Sequence, residues 1–279
     1  MSVLVIAEPG ATAQGDVDTM LALAAVAKGA DCDVWKPGYC SNPERMCERR
    51  HIGLDHPKRA YYQQAYSWLH WSEYALQEFR AICDSLGMKL ALSVYLPEDV
   101  PTAATYADIL KVSSFENQAA DMRGAFCSFT ETTQAIVSLG MRTITEARES
   151  MRHWPRSRTR FLHCTSSYPA PLSETNLAAI RGNRFSVQHG FLPPCDGLSD
   201  HSRDLDMGGF AVCAGAQIIE THYRLYDCDP ENPDYPVAFD PGELATYVGK
   251  IRKAESAMGD GVKRITESEK AMLPYRVNA

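Results

Sequence analysis

Glu8, Lys36, Lys111, Ser114, Glu116, Ser138, Thr165, Ser166, Tyr168, Ser199, Asp200, His201, Glu220 and His222 all stand at or near the ends of short apolar runs. Lysines and hydroxyls converging on one rim would suit a small, doubly charged phosphate ester. Lysine serves as a point charge for phosphate, and serine adds oriented donors. Lys36 taken alone also reads as a surface lysine, whereas Lys111, between the apolar ADIL and VSS, is harder to place outside. His201 and His222 end two consecutive runs, so their rings could come within a metal-coordination span. Two imidazoles completed by water and substrate oxygens suit a borderline divalent ion such as Mn2+. Asp200 and Glu220 could fix their tautomers. Two unrelated histidines capping strands would look the same, and chain position leaves both readings open.

Residues so placed need a scaffold that gathers strand ends together. Apolar β-like runs alternate with helical periodicity along the chain. VLVIAE (3–8) precedes a helix over 16–30, and DVWKPG (33–38) is followed by a polar stretch, 39–65, that reads as a long functional loop. A helix over 72–87 leads to KLALSVY (89–95), where Ser93 is the weak polar candidate. ADILKVSS (107–114), AIVS (135–138), RFLHCTS (160–166), CDGLSD (195–200) and QIIETHY (217–223) follow as strands. Between and after them lie helices beyond Asn117, over 143–154, 176–182, about 204–215 and 241–259. Strands this uniformly apolar are expected when both sheet faces are buried, as in a parallel sheet. About eight β-then-α units in ~250 residues predict an α/β fold, a single-domain (β/α)8 TIM barrel over 1–259, with 260–279 as a tail. No GxGxxG follows the first strand to favour an open doubly wound sheet. A barrel of this kind carries its active site at the C-terminal ends of the strands.

Composition narrows the function. The 279 residues carry 28 basic and 35 acidic side chains, a net charge of −7, which argues against nucleic acid or an anionic membrane as partner. Apolar residues make up 45%, ordinary for a globular protein, and no uninterrupted apolar run approaches the ~20 residues of a membrane span. The opening MSVLVIAEPGATAQGD has no basic n-region, so a cytoplasmic location is expected rather than secretion. The 9 cysteines are odd in number and none has CxxC spacing, which points to reduced thiols rather than a disulfide framework or zinc ribbon.

Longer strings carry a resemblance. FLHCTSSYPAP (161–171), GLSDH (197–201), AVCAGAQIIETHY (211–223) and the PD at 233–234 occur in the order found in the N-acetylneuraminate (sialic acid) synthase family, with its legionaminate, pseudaminate and spore-coat relatives. AEPG..AQGD (7–16) resembles that family's opening, KVSSFEN (111–117) its K-[IV]-x-S-x-E segment, and SLGM (138–141) its STGM. The resemblance runs from Val3 to about Gly259. It implies a barrel that condenses phosphoenolpyruvate with the open-chain aldehyde of an N-acylated hexosamine, giving a 3-deoxy-2-ulosonic acid and phosphate. It also implies a divalent metal ion (Mn2+ or Mg2+), and a homodimer is an expected assembly. By position, Lys36, Lys111, Ser114, Ser138 and Ser199 correspond to phosphoenolpyruvate ligands, and His201 and His222 to metal ligands. Glu8, Glu116, Tyr168, Glu220 and Asp234 match acidic or substrate-facing positions, and Ser166 stands at a substrate-binding one. Glu116 is the candidate for moving protons or stabilising a developing cation.

Departures are equally specific. The family's Asn-His after the first strand is Thr12-Ala13, the Gln after the strand-two lysine is Gly38, the Asn after HCT is Ser166, and a Thr ending strand three is Val94. Gly38 and Ser166 are smaller than their counterparts, so gained volume and an acceptor other than plain N-acetylmannosamine are expected. The family's barrel normally continues into a small antifreeze-like domain that lends an arginine to the partner's active site. The 279 residues hold the barrel pattern only, so the acceptor is expected to bind without that arginine unless another chain or the 39–65 loop, with Arg45, Arg49, Arg50 and His51, substitutes. A charged run of this kind is more often a solvated face.

Overall fold

The computed structural model describes residues 2–129, 133–181 and 195–277. In chain order its elements are β1 (Leu4–Gly10), α1 (Val17–Gly29), β2 (Val34–Tyr39), α2 (Pro43–Arg49), α3 (Arg59–Ser67), α4 (Glu73–Leu86) and β3 (Lys89–Val94). Then come α5 (Val100–Tyr106), β4 (Ile109–Val112), α6 (Ala120–Phe129), β5 (Gln134–Ser138), α7 (Ile144–His153) and β6 (Thr159–Cys164). The series closes with β7 (Gly197–Asp200), α8 (Met207–Cys213), β8 (Ile218–His222), α9 (Pro241–Met258) and α10 (Glu267–Lys270). Each strand pairs in parallel with the next, and β8 pairs with β1, so the sheet is the closed eight-stranded barrel expected from the alternation. The helix expected over 176–182 is a 3-10 turn, Leu177–Arg181, and Gly182 lies outside the described residues.

The helices start where side chains can satisfy their free N–H groups. Asp16, Asn42, Ser72, Thr143 and Asp240 each accept a backbone N–H in the first turn of α1, α2, α4, α7 and α9. Thr143 with Glu146 and Asp240 with Glu243 complete reciprocal capping boxes. Outward-facing strand residues pack with the helices into one large core that includes Trp35, Phe79, Phe126, Trp154, Phe161, Tyr223 and Tyr247.

One expectation is corrected. The 39–65 stretch is not a bare loop: α2 and α3 fold from it and pack against each other. Asn42 as cap with Pro43 at the first turn starts α2, a signal present in the sequence. α3 has no side-chain cap and is held by burial of Arg59 and Ala65. The segment after α9 is exposed throughout its described residues. Among the described residues no helix is long and apolar enough to cross a membrane.

Inside the barrel the side chains form levels, because successive strand residues alternate in and out. Ile6, Val34, Ala91, Ile109, Ile136, Leu162 and Ile218 make an apolar floor. Two residues further along the same strands, facing the same way, stand Glu8, Lys36, Ser93, Lys111, Ser138, Cys164 and Glu220, joined by Ser199 from β7. This polar level is the base of the candidate site.

Candidate active site

The polar level opens into a cavity of about 820 Å³ at the C-terminal mouth of the barrel, a size suited to a small-molecule ligand. Its base is a compact charge network. Lys36 is in contact with the Glu8 carboxylate, donates to Ser93 Oγ at 2.6 Å, and lies 3.8 Å from Glu220 Oε2. Lys111 donates to Glu220 Oε1 at 2.9 Å, and Ser199 Oγ donates to the same oxygen at 2.8 Å. Glu8 is also fixed by the Gly10 N–H at 2.8 Å. All four charged groups are buried. Burial opposes ionisation of Glu220, but Lys111 and Lys36 outweigh it and hold the carboxyl well below the usual carboxylate range. Burial pulls the Lys36 ammonium down to about 7 against the opposing pull of Glu220. Two cations balanced by two carboxylates form a cradle that an incoming dianion could enter by taking over the ammonium donors.

His201 and His222 face each other above this base, with ring centroids 5.4 Å apart. His201 Nδ1 lies 2.9 Å from the Thr165 carbonyl; because a carbonyl only accepts, Nδ1 carries a proton, and Nε2 can accept or ligate once the ring is neutral. Cys164 Sγ is 3.7 Å from the same Nδ1. Burial would depress the His201 imidazolium, but Cys164 and the Thr165 carbonyl hold it up at about 8. His222 is driven the other way, by burial first and then by His201 and Lys36, so its imidazole is neutral. Its buried Nδ1 has no hydrogen-bond partner, Asp234 Oδ1 being 3.8 Å away. Among the described residues no group of three or more His, Cys, Asp or Glu side chains is arranged as a metal shell. A neutral imidazole with a bare nitrogen beside a second one does fit an open two-histidine site, its other positions left to water or ligand oxygens. Asp200 does not orient either ring, contrary to expectation. It points outward and accepts from Tyr247 Oη at 2.8 Å, while Glu220 is taken up by Lys111 and Ser199.

The Tyr168 ring walls the imidazole pair, 4.3 Å from His201 and 5.9 Å from His222. Asp234, in the loop after β8, accepts from the Ala11 N–H at 2.7 Å. A Cβ on Gly10 would sit 2.2 Å from Asp234 Oδ2, so only glycine permits this approach. Burial raises the Asp234 carboxyl, opposed by that N–H. Of the residues expected from sequence, Glu8, Lys36, Lys111, Ser114, Ser138, Tyr168, Ser199, His201, Glu220, His222 and Asp234 line the cavity. Ser166 and Glu116 stand behind its wall. Ser166 shares a 2.8 Å hydrogen bond with Ser114, and Glu116 is held by Ser113 and by Arg50 at 2.8 Å.

Ser93, Tyr95, Cys164 and Arg50 are among the lining residues that were not sequence candidates or were weak ones. Counting two residues on from each floor residue would have found Ser93 and Cys164. Arg50 arrives by tertiary packing of α2 and α3. Of its neighbours in the charged run, Arg45 pairs with Glu98 and Arg49 with Asp121, outside the cavity. The volume expected beside Gly38 is not free, because a Cβ there would meet Leu69 and the Tyr95 hydroxyl at 3.1 Å. Those side chains fill the space.

Fold and site together define a parallel (β/α)8 barrel with a buried cation–carboxylate cradle beneath a histidine pair, the architecture of a small-molecule enzyme pocket. The NeuB family pattern matches residues 18–263, and the chain belongs to the NeuB family. The N,N'-diacetyllegionaminic acid synthase of Campylobacter jejuni is 35% identical over 141 residues, which span 48% of this chain and 40% of that protein's length. The N-acetylneuraminate-9-phosphate synthase of Mus musculus is 26% identical over 96% of this chain and 74% of its own. The crystal structure of the N-acetylneuraminic acid (sialic acid) synthetase of Leptospira borgpetersenii, in complex with citrate, superposes with a TM-score of 0.81. At 22% identity, over 99% of this chain and 92% of that one, it shares the fold.

Proposed function

We propose that this protein is a transferase joining phosphoenolpyruvate to the aldehyde carbon of a sugar-like acceptor, with release of phosphate. The observation that carries the reading is the polar level over the apolar floor: Lys36 and Lys111, ringed by Ser93, Ser138 and Ser199, each held by a carboxylate that a ligand can replace. The synthase names of its relatives support the same reaction class. In this reading Lys36 and Lys111 bind the phosphate and carboxylate of phosphoenolpyruvate, with Ser114, Ser138 and Ser199 as donors. The C3 carbon forms the new bond to the aldehyde carbon, whose oxygen becomes a hydroxyl. Water adds at C2, and the C2–O bond to phosphate breaks, so the products are a 3-deoxy-2-ulosonic acid and inorganic phosphate. Glu8 and Glu220 lie where positive charge develops at C2 and can stabilise it. Asp234 and Tyr168 face the acceptor side. His201 and His222 would hold a divalent ion, Mn2+ or Mg2+, which supplies Lewis-acid polarisation of the aldehyde oxygen when bound.

The test is phosphate release from phosphoenolpyruvate in the presence of Mn2+ and a panel of aldoses and N-acylhexosamines. Aldehyde-dependent phosphate release with a new ulosonic acid in the product mixture is expected. Release that ignores the aldehyde, or none with any acceptor, would overturn the assignment.

A further inference from the structure

The excursion between β2 and α4 roofs one side of the cavity, and Arg50, just beyond α2, lines it together with Lys58. Its guanidinium lies 4.0 Å from the Phe115 ring centroid and 5.9 Å from that of Tyr95. One edge is paired with Glu116 at 2.8 Å, and the buried Nε has no partner. Glu116 is in turn fixed by Ser113. A guanidinium so held is oriented before any ligand arrives, which reduces the ordering cost of using its remaining donors. Because Glu116 already neutralises it, a neutral oxygen satisfies those donors, and a second carboxylate is not required. Tyr66, Leu69 and Phe115 line the cavity with Arg50 and offer it apolar and aromatic surface. A ligand group matching both features has a carbonyl oxygen attached to an alkyl arm.

We infer that Arg50 is a specificity residue that binds the acyl carbonyl of an N-acylated acceptor, the alkyl arm lying against Tyr66, Leu69 and Phe115. Glu116 is then a positioning residue for Arg50. The inference rests on the condensation reading for the identity of the acceptor, but it concerns binding and is tested by binding.

Mannose, N-acetylmannosamine and N-butanoylmannosamine serve as probes in calorimetry and saturation-transfer NMR with the full chain. Affinity rises in that order, and the acyl protons receive the strongest saturation. Arg50→Met weakens the two acylated probes by about tenfold or more, leaves mannose unchanged, and Arg50→Lys restores part of the loss. Phosphoenolpyruvate binding of the variants stays at the wild-type value and unfolding stays cooperative, showing that the fold survives, although Arg50→Met lowers the midpoint because Glu116 loses its partner. Equal binding of mannose and N-butanoylmannosamine to the wild type, or unchanged acyl affinity in Arg50→Met, overturns the inference. Acyl preference without any phosphoenolpyruvate binding overturns the condensation reading and leaves Arg50 in place.

Discussion

Ile6 and Glu8, Val34 and Lys36, Ile109 and Lys111, and Ile218 and Glu220 are each two residues apart on the same strand and the same face, about 6.6 Å along it. The backbone is the same at both levels; the side chains do opposite work. The floor removes apolar surface from water and closes the barrel. The polar level buries two ammonium and two carboxylate groups, and such networks often add less stability than apolar residues of the same volume would. The proposed ligand role would account for its presence where the fold does not. The boundary between stabilising and functional positions therefore lies within every strand, not between elements.

The sharpest way to break this contrast is at the third step of β8, where His222 meets His201. A His201→Ala/His222→Ala variant should lose Mn2+ binding in a titration followed by electron paramagnetic resonance. Binding equal to wild type would remove the ion from this site. At the floor, Ile109→Ala should cost about 2–4 kcal/mol in denaturant unfolding while phosphoenolpyruvate affinity changes little. One step up, Lys111→Met should lose binding, and stability as well, because Glu220 is left buried without this partner. Losing a charge-assisted contact costs about 1.5–3 kcal/mol of binding, roughly tenfold or more in affinity by calorimetry. Pairing it with Glu220→Leu should return stability to wild type or above without restoring binding. Unchanged affinity in both Lys36→Met and Lys111→Met would move the anion elsewhere.

How much of this was legible in the sequence depends on which force places each residue. Lys36, Lys111, Ser138, Ser199 and Glu220 stand out because strand periodicity alone carries them inward, and the barrel follows from the alternation of apolar runs with helices. Cys164 was hidden because a buried cysteine reads as a small apolar residue. Arg50 was named only with the rest of its charged run, because its direction is set by α2 and α3 packing on each other and no local pattern separates it from Arg45 and Arg49, whose partners lie outside the cavity. The roof itself was missed because a polar, proline-marked stretch gives two short helices little periodicity to show.

Ser93 is the position where the two levels come closest in character, and it gives the smallest and most diagnostic effect. It sits inside the apolar run LALSV of β3, two residues above Ala91, and is as buried as the floor. If it belonged to the floor, removing its hydroxyl would be neutral for every function. Its Oγ instead accepts from Lys36 at 2.6 Å and lies 3.4 Å from Glu8 Oε2, so it helps set where the ammonium points. Ser93→Ala should therefore weaken phosphoenolpyruvate binding by about 0.5–1.5 kcal/mol, the worth of one ordinary hydrogen bond, with unfolding free energy nearly unchanged because Lys36 keeps its contact with Glu8. Ser93→Val, which carries floor chemistry into the polar level, should hold stability and lose at least as much affinity. Full affinity in both variants would show that the polar level skips β3, and that Lys36 is oriented by Glu8 and Glu220 alone.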